Sequence, residues 1–185
     1  MSPKDIAKLF KKGSVGVLLT DTIYGICARA EDRTAVRKLY ALKSRHNKPG
    51  TVIAYSIEQL VELGIKYRYL SAFKDYWPNP LSVVVPVSSD LDYLDQKIGS
   101  LAVRLPKDSR IQKILKLTGP LVTSSANLPQ EPVAKNVKEA KSYFGDKVDF
   151  YVDNGNSKNL QPSTIVRMID DEIEILRDGE FKFNS

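Results

Sequence analysis

The chain has 185 residues, 42% of them apolar, with a net charge of +6 and a pI near 9.3. This length suits one domain spanning residues 1–185, with enough apolar residues for a full core. Cys27 is the only cysteine and His46 the only histidine, which excludes an internal disulfide and a zinc site of four Cys and His ligands. No stretch approaches the roughly 18 apolar residues of a membrane span. We therefore expect a cytoplasmic protein with no membrane contact and no metal held by protein ligands.

The positive charge favours anionic ligands such as nucleic acid or nucleotide phosphates, without identifying one. A Ser-His-Asp hydrolase would have to use His46, and the sequence has no G-x-S-x-G elbow. The run "GSVGVLLTDT" also lacks the G-K-[ST] of a phosphate-binding loop. Ser-His-Asp hydrolases and enzymes with a G-K-[ST] phosphate-binding loop are therefore disfavoured.

Apolar runs rich in β-branched residues alternate along the chain with segments of helical period. The predicted strands cover residues 14–20, 51–55, 81–87, 101–105, 120–127 (running into a loop), 148–155, 163–169 and 172–179. Helices are predicted after Asp32, Ser56, Asp108 and Asn136, each a suitable N-cap, and Ser56 with Gln59 has capping-box spacing. Gly119 and Gly145 should end the last two helices. The alternation predicts one α/β domain with a mixed sheet that closes with a β-hairpin.

The first strand ends in Thr20, Asp21 and Thr22, where α/β folds usually bind ligands. A self-capped turn is the simpler interpretation, because Asp and Thr bond local amides.

The segment "LKSRHNKPG" gathers Lys43, Arg45 and Lys48 at a predicted helix end. Cations are favourable there in any protein. Several cations on a loop constrained by Pro49 and Gly50 also suit a polyphosphate.

Arg104 lies inside the apolar strand "LAVRLP" and needs an anionic partner if it is buried. That partner is either a structural Asp or Glu or a ligand carboxylate or phosphate. The stretches "VTSSAN" and "QPSTIVR" place small hydroxyl residues at strand ends, and Asn127 could simply cap a turn.

Six motifs occur in order along the chain: "TDT" with Tyr-Gly, "KSR" before "KP", "VRLP", "SSAN", "PSTIV" and "LRDGE". Together, from about Gly13 to Gly179, they resemble the YrdC/Sua5 family of threonylcarbamoyl-AMP synthases, in its short YrdC-type form. The resemblance implies an open, twisted mixed α/β sheet with flanking helices around a basic concave cavity.

The activity implied by the resemblance is that of a nucleotidyltransferase. ATP, L-threonine and bicarbonate give L-threonylcarbamoyl-AMP, pyrophosphate and water, with Mg²⁺ accompanying the nucleotide. A separate complex then transfers the threonylcarbamoyl group to tRNA, so contact with tRNA or other double-stranded RNA is also implied.

The resemblance also implies residue roles. Thr22, Arg104, Thr123 and Ser163 would bind L-threonine, with Arg104 on its carboxylate. ATP would meet Arg45, Lys48, Ser100, Ser125, Val133 and Arg177, and catalysis would involve Lys43 and Arg45.

Two alternatives remain open at this point. The same basic cavity could serve an RNA-binding or ribosome-maturation module, or a YciO-like paralogue. Tyr67, Tyr69, Tyr76 and Trp77 are grouped, but their amphipathic spacing favours packing over an RNA-stacking platform.

Overall fold

The computed structural model describes residues 1–44, 47–157, 161–170 and 172–183. The described strands form one sheet in the order β7-β1-β2-β6-β3-β5-β4-β8-β9. Parallel pairs (β1/β7, β3/β5 and β4/β8) occur among antiparallel ones, so the predicted mixed sheet is confirmed. The strands are β1 Gly16–Leu19, β2 Tyr24–Arg29, β3 Thr51–Ile53, β4 Leu81–Pro86, β5 Ser100–Arg104, β6 Leu121–Ser125, β7 Phe150–Tyr151, β8 Thr164–Ile169 and β9 Glu172–Arg177.

The helices begin where the sequence offers a cap. Asp32 Oδ1 accepts from Thr34 N and Ala35 N, Asp108 accepts from Arg110 N and Ile111 N, and Asn136 accepts from Glu139 N. The helices are α1 Pro3–Lys11, α2 Arg33–Leu42, α3 Ile57–Glu62, α4 Asp92–Asp95, α5 Ser109–Thr118 and α6 Val137–Phe144. Short 3₁₀ turns cover Tyr67–Tyr69, Ser71–Phe73, Ser89–Leu91 and Gly145–Lys147.

The capping box predicted at Ser56 is wrong. The Ser56 side chain makes no capping bond, and Gln59 Oε1 instead accepts from Tyr55 N at 2.9 Å. Gln59 Nε2 also donates to Leu115 O at 3.1 Å. Gln59 therefore ties α3 to α5, and this longer-range contact displaces the local cap.

The strand predicted over 148–155 is shorter, because the chain turns around the Tyr24 hydroxyl. That hydroxyl donates to Gly155 O at 2.7 Å and accepts from Asn154 N at 3.1 Å. Asp153 Oδ1 also accepts from Gly155 N, where φ is +76°. Ladder pairing therefore stops at Tyr151.

Alternating residues of the central strands enter two apolar layers. Val17 and Ile26 belong to the larger cluster, which includes buried residues of α2, α3 and α6. Leu18 and Cys27 belong to a second cluster, to which α1 and α5 contribute. Helices therefore cover both faces of the sheet. None of the described helices combines the length and the apolar character that crossing a membrane requires.

Candidate functional site

The turn between β1 and β2 is closed by the side chain and backbone of Thr20. Thr20 Oγ1 donates to Ile23 O at 2.9 Å, and Thr20 N donates to the same carbonyl at 3.1 Å. Thr22 Oγ1 lies 3.3 Å from Thr20 Oγ1, and Thr22 is 4% exposed. The self-capped turn is therefore present, and it holds Thr22 in the lining of a cleft.

Arg104, the last residue of β5, is 4% exposed. Its Nη2 lies 2.9 Å from Asp21 Oδ1, and both side chains are almost fully buried. The anionic partner predicted for a buried Arg104 is thus a carboxylate of the β1–β2 turn. Arg104 nevertheless also lines the cleft, so it contacts both the Asp21 carboxylate and the space of the cleft.

Thr123 is reached by two close backbone approaches that require glycine. A Cβ added to Gly25 would lie 2.4 Å from Thr123 Oγ1, and one added to Gly50 would lie 2.5 Å from Thr123 O. Gly50 N also donates to Tyr40 Oη at 3.1 Å. Strands β2, β3 and β6 can therefore pack tightly around Thr123.

Cys27 is a buried residue next to Thr123, which lines the cleft. Its Sγ lies 3.2 Å from Thr123 Oγ1. Burial raises the pKa of the Cys27 thiol to about 12, so it is neutral at ordinary pH.

Ser163 connects two parts of the sheet. Its Oγ lies 2.9 Å from the Oγ of Ser82, a fully buried residue of β4. Arg177, at the end of β9, donates from Nη2 to Ser163 O at 2.7 Å and to Ser163 Oγ at 3.3 Å. The arginine predicted for ATP thus contacts a residue predicted for threonine.

Lys43 follows α2 and is 4% exposed. Its Nζ donates to Ser125 O at 2.8 Å, to Asn127 Oδ1 at 2.9 Å and to Asn127 O. Asn127 Oδ1 also accepts from Ser125 Oγ at 2.7 Å. The ammonium therefore fixes the loop after β6, and Asn127 is a linking residue of that loop as well as a turn residue.

These elements enclose a cleft with a volume of about 160 Å³. Its described lining contains two arginines and no carboxylate. The lining residues are Thr20, Thr22, Ile23, Gly25, Pro49, Gly50, Thr51, Ala102, Arg104, Thr123, Ser124, Ser125, Pro162, Ser163, Ile165 and Arg177.

The cleft brings together many, though not all, of the predicted site residues. Those that line it are Thr22, Arg104, Thr123, Ser125, Ser163 and Arg177. Lys43 does not line the cleft, but its Nζ donates to the backbone carbonyl of Ser125, which does. Lys48 is exposed, and Ser100 and Val133 are half-buried beyond the lining. Arg45 and His46 lie outside the described residues.

Sequence reasoning missed two residues that shape the cleft. Ser82 lies within the predicted strand 81–87, and a serine inside the apolar run "LSVVVPV" is the sequence signal for a buried polar contact. Gly25 was noted only in a motif, although its place beside Thr123 depends on strand β2, which was not predicted. Within the described ranges, no group of three or more His, Cys, Asp or Glu residues is arranged to hold a metal ion.

A mixed α/β sheet carrying a hydroxyl-rich cleft with two arginines has the chemistry to suit a small anionic ligand. The family model of Sua5, YciO and YrdC proteins, described as "Telomere recombination", matches residues 8–179. The chain belongs to this Sua5/YciO/YrdC family, as its motifs indicated.

Curated relatives include two provisionally named threonylcarbamoyl-AMP synthase. The Mycobacterium leprae protein is 33% identical over 174 residues, covering 91% of this chain and 79% of the relative. The Methanocaldococcus jannaschii protein is 30% identical over 186 residues, covering 95% and 86%.

Solved structures share the fold. P. abyssi Sua5 complexed with L-threonine superimposes with a TM-score of 0.85 at 26% identity, covering 97% of this chain and 55% of that chain. The chain thus spans little more than half of that Sua5 protein. E. coli YciO, at 20% identity, shows the same fold with a TM-score of 0.80, covering 96% and 90%.

Proposed function

We propose that the chain is an L-threonylcarbamoyladenylate synthase that uses ATP, L-threonine and bicarbonate. The observation that carries this proposal is the cleft, in which buried Arg104 lies among the hydroxyls of Thr22, Thr123 and Ser163. Support also comes from the names of the relatives at 30–33% identity and from the threonine complex of P. abyssi Sua5.

At one end of the cleft, L-threonine would pair its carboxylate with Arg104. Such charge-assisted pairs are among the stronger polar contacts in proteins. Thr22, Thr123 and Ser163 are 3–8% exposed, and their hydroxyls can donate or accept as the hydroxyl and amine of threonine require.

At the other end, ATP would meet Arg45, Lys48, Ser100, Ser125, Val133 and Arg177. Lys43 would add positive charge beside the phosphates while it holds the loop that carries Ser125. Mg²⁺ would be held mainly by phosphate oxygens and water, since no carboxylate lines the described cleft. When bound, it offsets charge that builds on the phosphates.

The reaction makes limited demands on acid–base groups. The amine of threonine and bicarbonate form a carbamate with loss of water, and a carbamate oxygen then attacks the α-phosphorus and expels pyrophosphate. Because this nucleophile is already anionic, the protein's tasks are to align two anions and to offset negative charge. Guanidinium, ammonium and hydroxyl groups suit those tasks, and we assign no general base.

The product would pass to a separate complex that transfers the threonylcarbamoyl group to tRNA, and a cytoplasmic location would suit that step. An RNA-binding module receives less support. Trp77 is buried and donates to Leu81 O at 2.8 Å, and Tyr69 and Tyr76 pack against the core. Of the grouped aromatics, Tyr67 is the most exposed, at 56%.

The test is pyrophosphate release by the purified chain with ATP and Mg²⁺, omitting L-threonine or bicarbonate in turn. We expect release only when both are present. Release without threonine would contradict the proposal and indicate another acceptor, as in a paralogue. No release together with RNA binding would favour the binding module.

A further inference from the structure

Asp21 is a buried carboxylate to which the proposed reaction gives no task. Its side chain is 3% exposed, and its Oδ1 lies 2.9 Å from Arg104 Nη2. The angles at this contact do not make a hydrogen bond. Both Asp21 oxygens and Arg104 Nε therefore lack a hydrogen-bond partner among the described residues. A buried charge is costly unless it is paired, so the partner of this carboxylate is the feature to explain.

Asp21 and Arg104 face different clefts. Arg104 lines the cleft proposed for substrates. Asp21 lines a second cleft, together with Asp108, Arg110 and the loop from Asn154 to Ser157. Thr20 and Thr22 line both, so the turn between β1 and β2 forms the wall between them. Asp21 therefore contacts the Arg104 guanidinium from the side of the second cleft.

The backbone on each side of this pair is fixed. Strand β5 lies between β3 and β4 in the sheet, and Arg104 is paired with Ile53. The turn that carries Asp21 is closed by the bonds of Thr20 to Ile23 O. The main freedom left is the rotation of the long Arg104 side chain, and Asp21 is the charged group that opposes it.

We propose that Asp21 is a positioning residue for the carboxylate of L-threonine. It holds one side of the Arg104 guanidinium, so that the remaining N–H groups stay directed into the substrate cleft. A guanidinium has several N–H donors in a rigid fork and can serve two carboxylates on different sides. This inference rests on the proposed function, since it assumes that Arg104 binds threonine.

The test compares Asp21→Ala and Asp21→Asn in the full chain, with thermal unfolding as a check on folding. For Asp21→Ala we expect the KM for threonine to rise about tenfold, with the KM for ATP changed less than about twofold. Asp21→Asn should raise the threonine KM only about threefold, because the amide keeps a polar oxygen beside the guanidinium although the negative charge is lost. If Asp21→Ala does not fold, Asp21→Asn carries the comparison.

The matched control is Asp108→Asn. Asp108 lines the same second cleft, and asparagine keeps the N-cap of α5. This variant loses a partly exposed ion pair with Arg110. We expect both KM values within about twofold of the wild type, because such pairs contribute little.

A double-mutant cycle with Arg104→Ala separates positioning from general damage. If Asp21 acts through Arg104, adding Asp21→Ala to Arg104→Ala should change the threonine KM less than about twofold. A full tenfold further loss would overturn the proposal. So would a wild-type threonine KM in both Asp21 variants, although the proposed function would then stand. A wild-type chain that releases pyrophosphate without threonine would overturn both.

Discussion

The two ends that we propose for the cleft are built differently. The proposed amino-acid end (Thr22, Arg104, Thr123 and Ser163) comes from strand ends and tight turns, and its members are 3–8% exposed. The described residues of the proposed nucleotide end (Lys43, Lys48, Ser100, Ser125, Val133 and Arg177) lie on loops and at strand ends, and among them only Lys43 is almost fully buried. Lys48 is exposed there, and Val133 is half-buried.

This difference suggests how binding energy is distributed. Polar groups that are already fixed and desolvated lose little further entropy when a ligand arrives. An exposed lysine must be ordered and is screened by salt. We therefore expect substitutions at the amino-acid end to act strongly and selectively on threonine, and those at exposed positions of the nucleotide end to act weakly.

Arg104→Ala should have the largest effect. We expect the threonine KM to rise about 100-fold, because a desolvated carboxylate loses its charged partner, while the ATP KM changes less than about threefold. The control is Arg167→Ala, at a half-exposed arginine of β8 that pairs with Glu174. Steady-state kinetics with each substrate varied in turn makes the comparison. Equal losses for threonine and ATP in a folded Arg104→Ala protein would break the division between the two ends.

Lys43→Met should lower kcat about 30-fold, because at least three hydrogen bonds to the loop after β6 are lost and their acceptors stay partly buried. The KM for threonine should stay within about threefold, since the threonine contacts lie elsewhere. Lys38→Met is the control, because Lys38 lies on α2, the helix that Lys43 follows, in an exposed pair with Asp149. Single-turnover rates distinguish the two variants. Equal loss in both would show that the charge of α2, and not the Lys43 contacts, matters.

The titration of Cys27 tests whether water is excluded from the residues behind Thr123. The folded pKa, about 12, lies above the thiol's ordinary 9.0. The unfolded chain therefore loses its proton first as the pH rises, and stability present below pH 9 is lost between the two values. At pH 10 the Cys27 thiol should contribute a loss of roughly 1 kcal/mol of unfolding free energy relative to pH 7, a contribution absent in Cys27→Ala.

Urea unfolding of both proteins at several pH values measures this difference. Parallel pH profiles would mean that the Cys27 thiol ionises as easily in the folded protein as in the unfolded one, and that water reaches the back of the cleft.

Lys48→Ala should have the smallest effect. We expect the ATP KM to rise about threefold at low salt and less at high salt, because the side chain is exposed. Lys12→Ala, at an exposed lysine that follows α1, gives the background effect of losing one positive charge. A loss above about 30-fold for Lys48→Ala would indicate a contact as desolvated as that of Arg104.

The sequence predicted the mixed sheet, most strands and three helix caps, because these depend on local periodicity and on side chains within one turn. It also predicted that a buried Arg104 would need an anion. It could not select Asp21, because that contact depends on the packing of the β1–β2 turn against β5.

The contacts that join distant strands were the least predictable from sequence. Ser82 meets Ser163 only because β4 pairs with β8. The sequence does not predict strand β2, because Gly25, Cys27 and Ala28 give a weak strand signal, although the close approach of Gly25 to Thr123 of β6 leaves no room for a Cβ. Motif resemblance, and not periodicity, assigned roles to Thr22, Thr123 and Ser163.

The most direct test of the proposed activity is the identity of the adenylate. The chain would be incubated with ATP, Mg²⁺, L-threonine and ¹³C-bicarbonate, and the products separated rapidly and weighed by mass spectrometry. We predict a labile adenylate that contains threonine and one ¹³C atom, together with pyrophosphate. Pyrophosphate accompanied by threonyl-AMP without the label, or by AMP alone when threonine is omitted, would contradict the assignment.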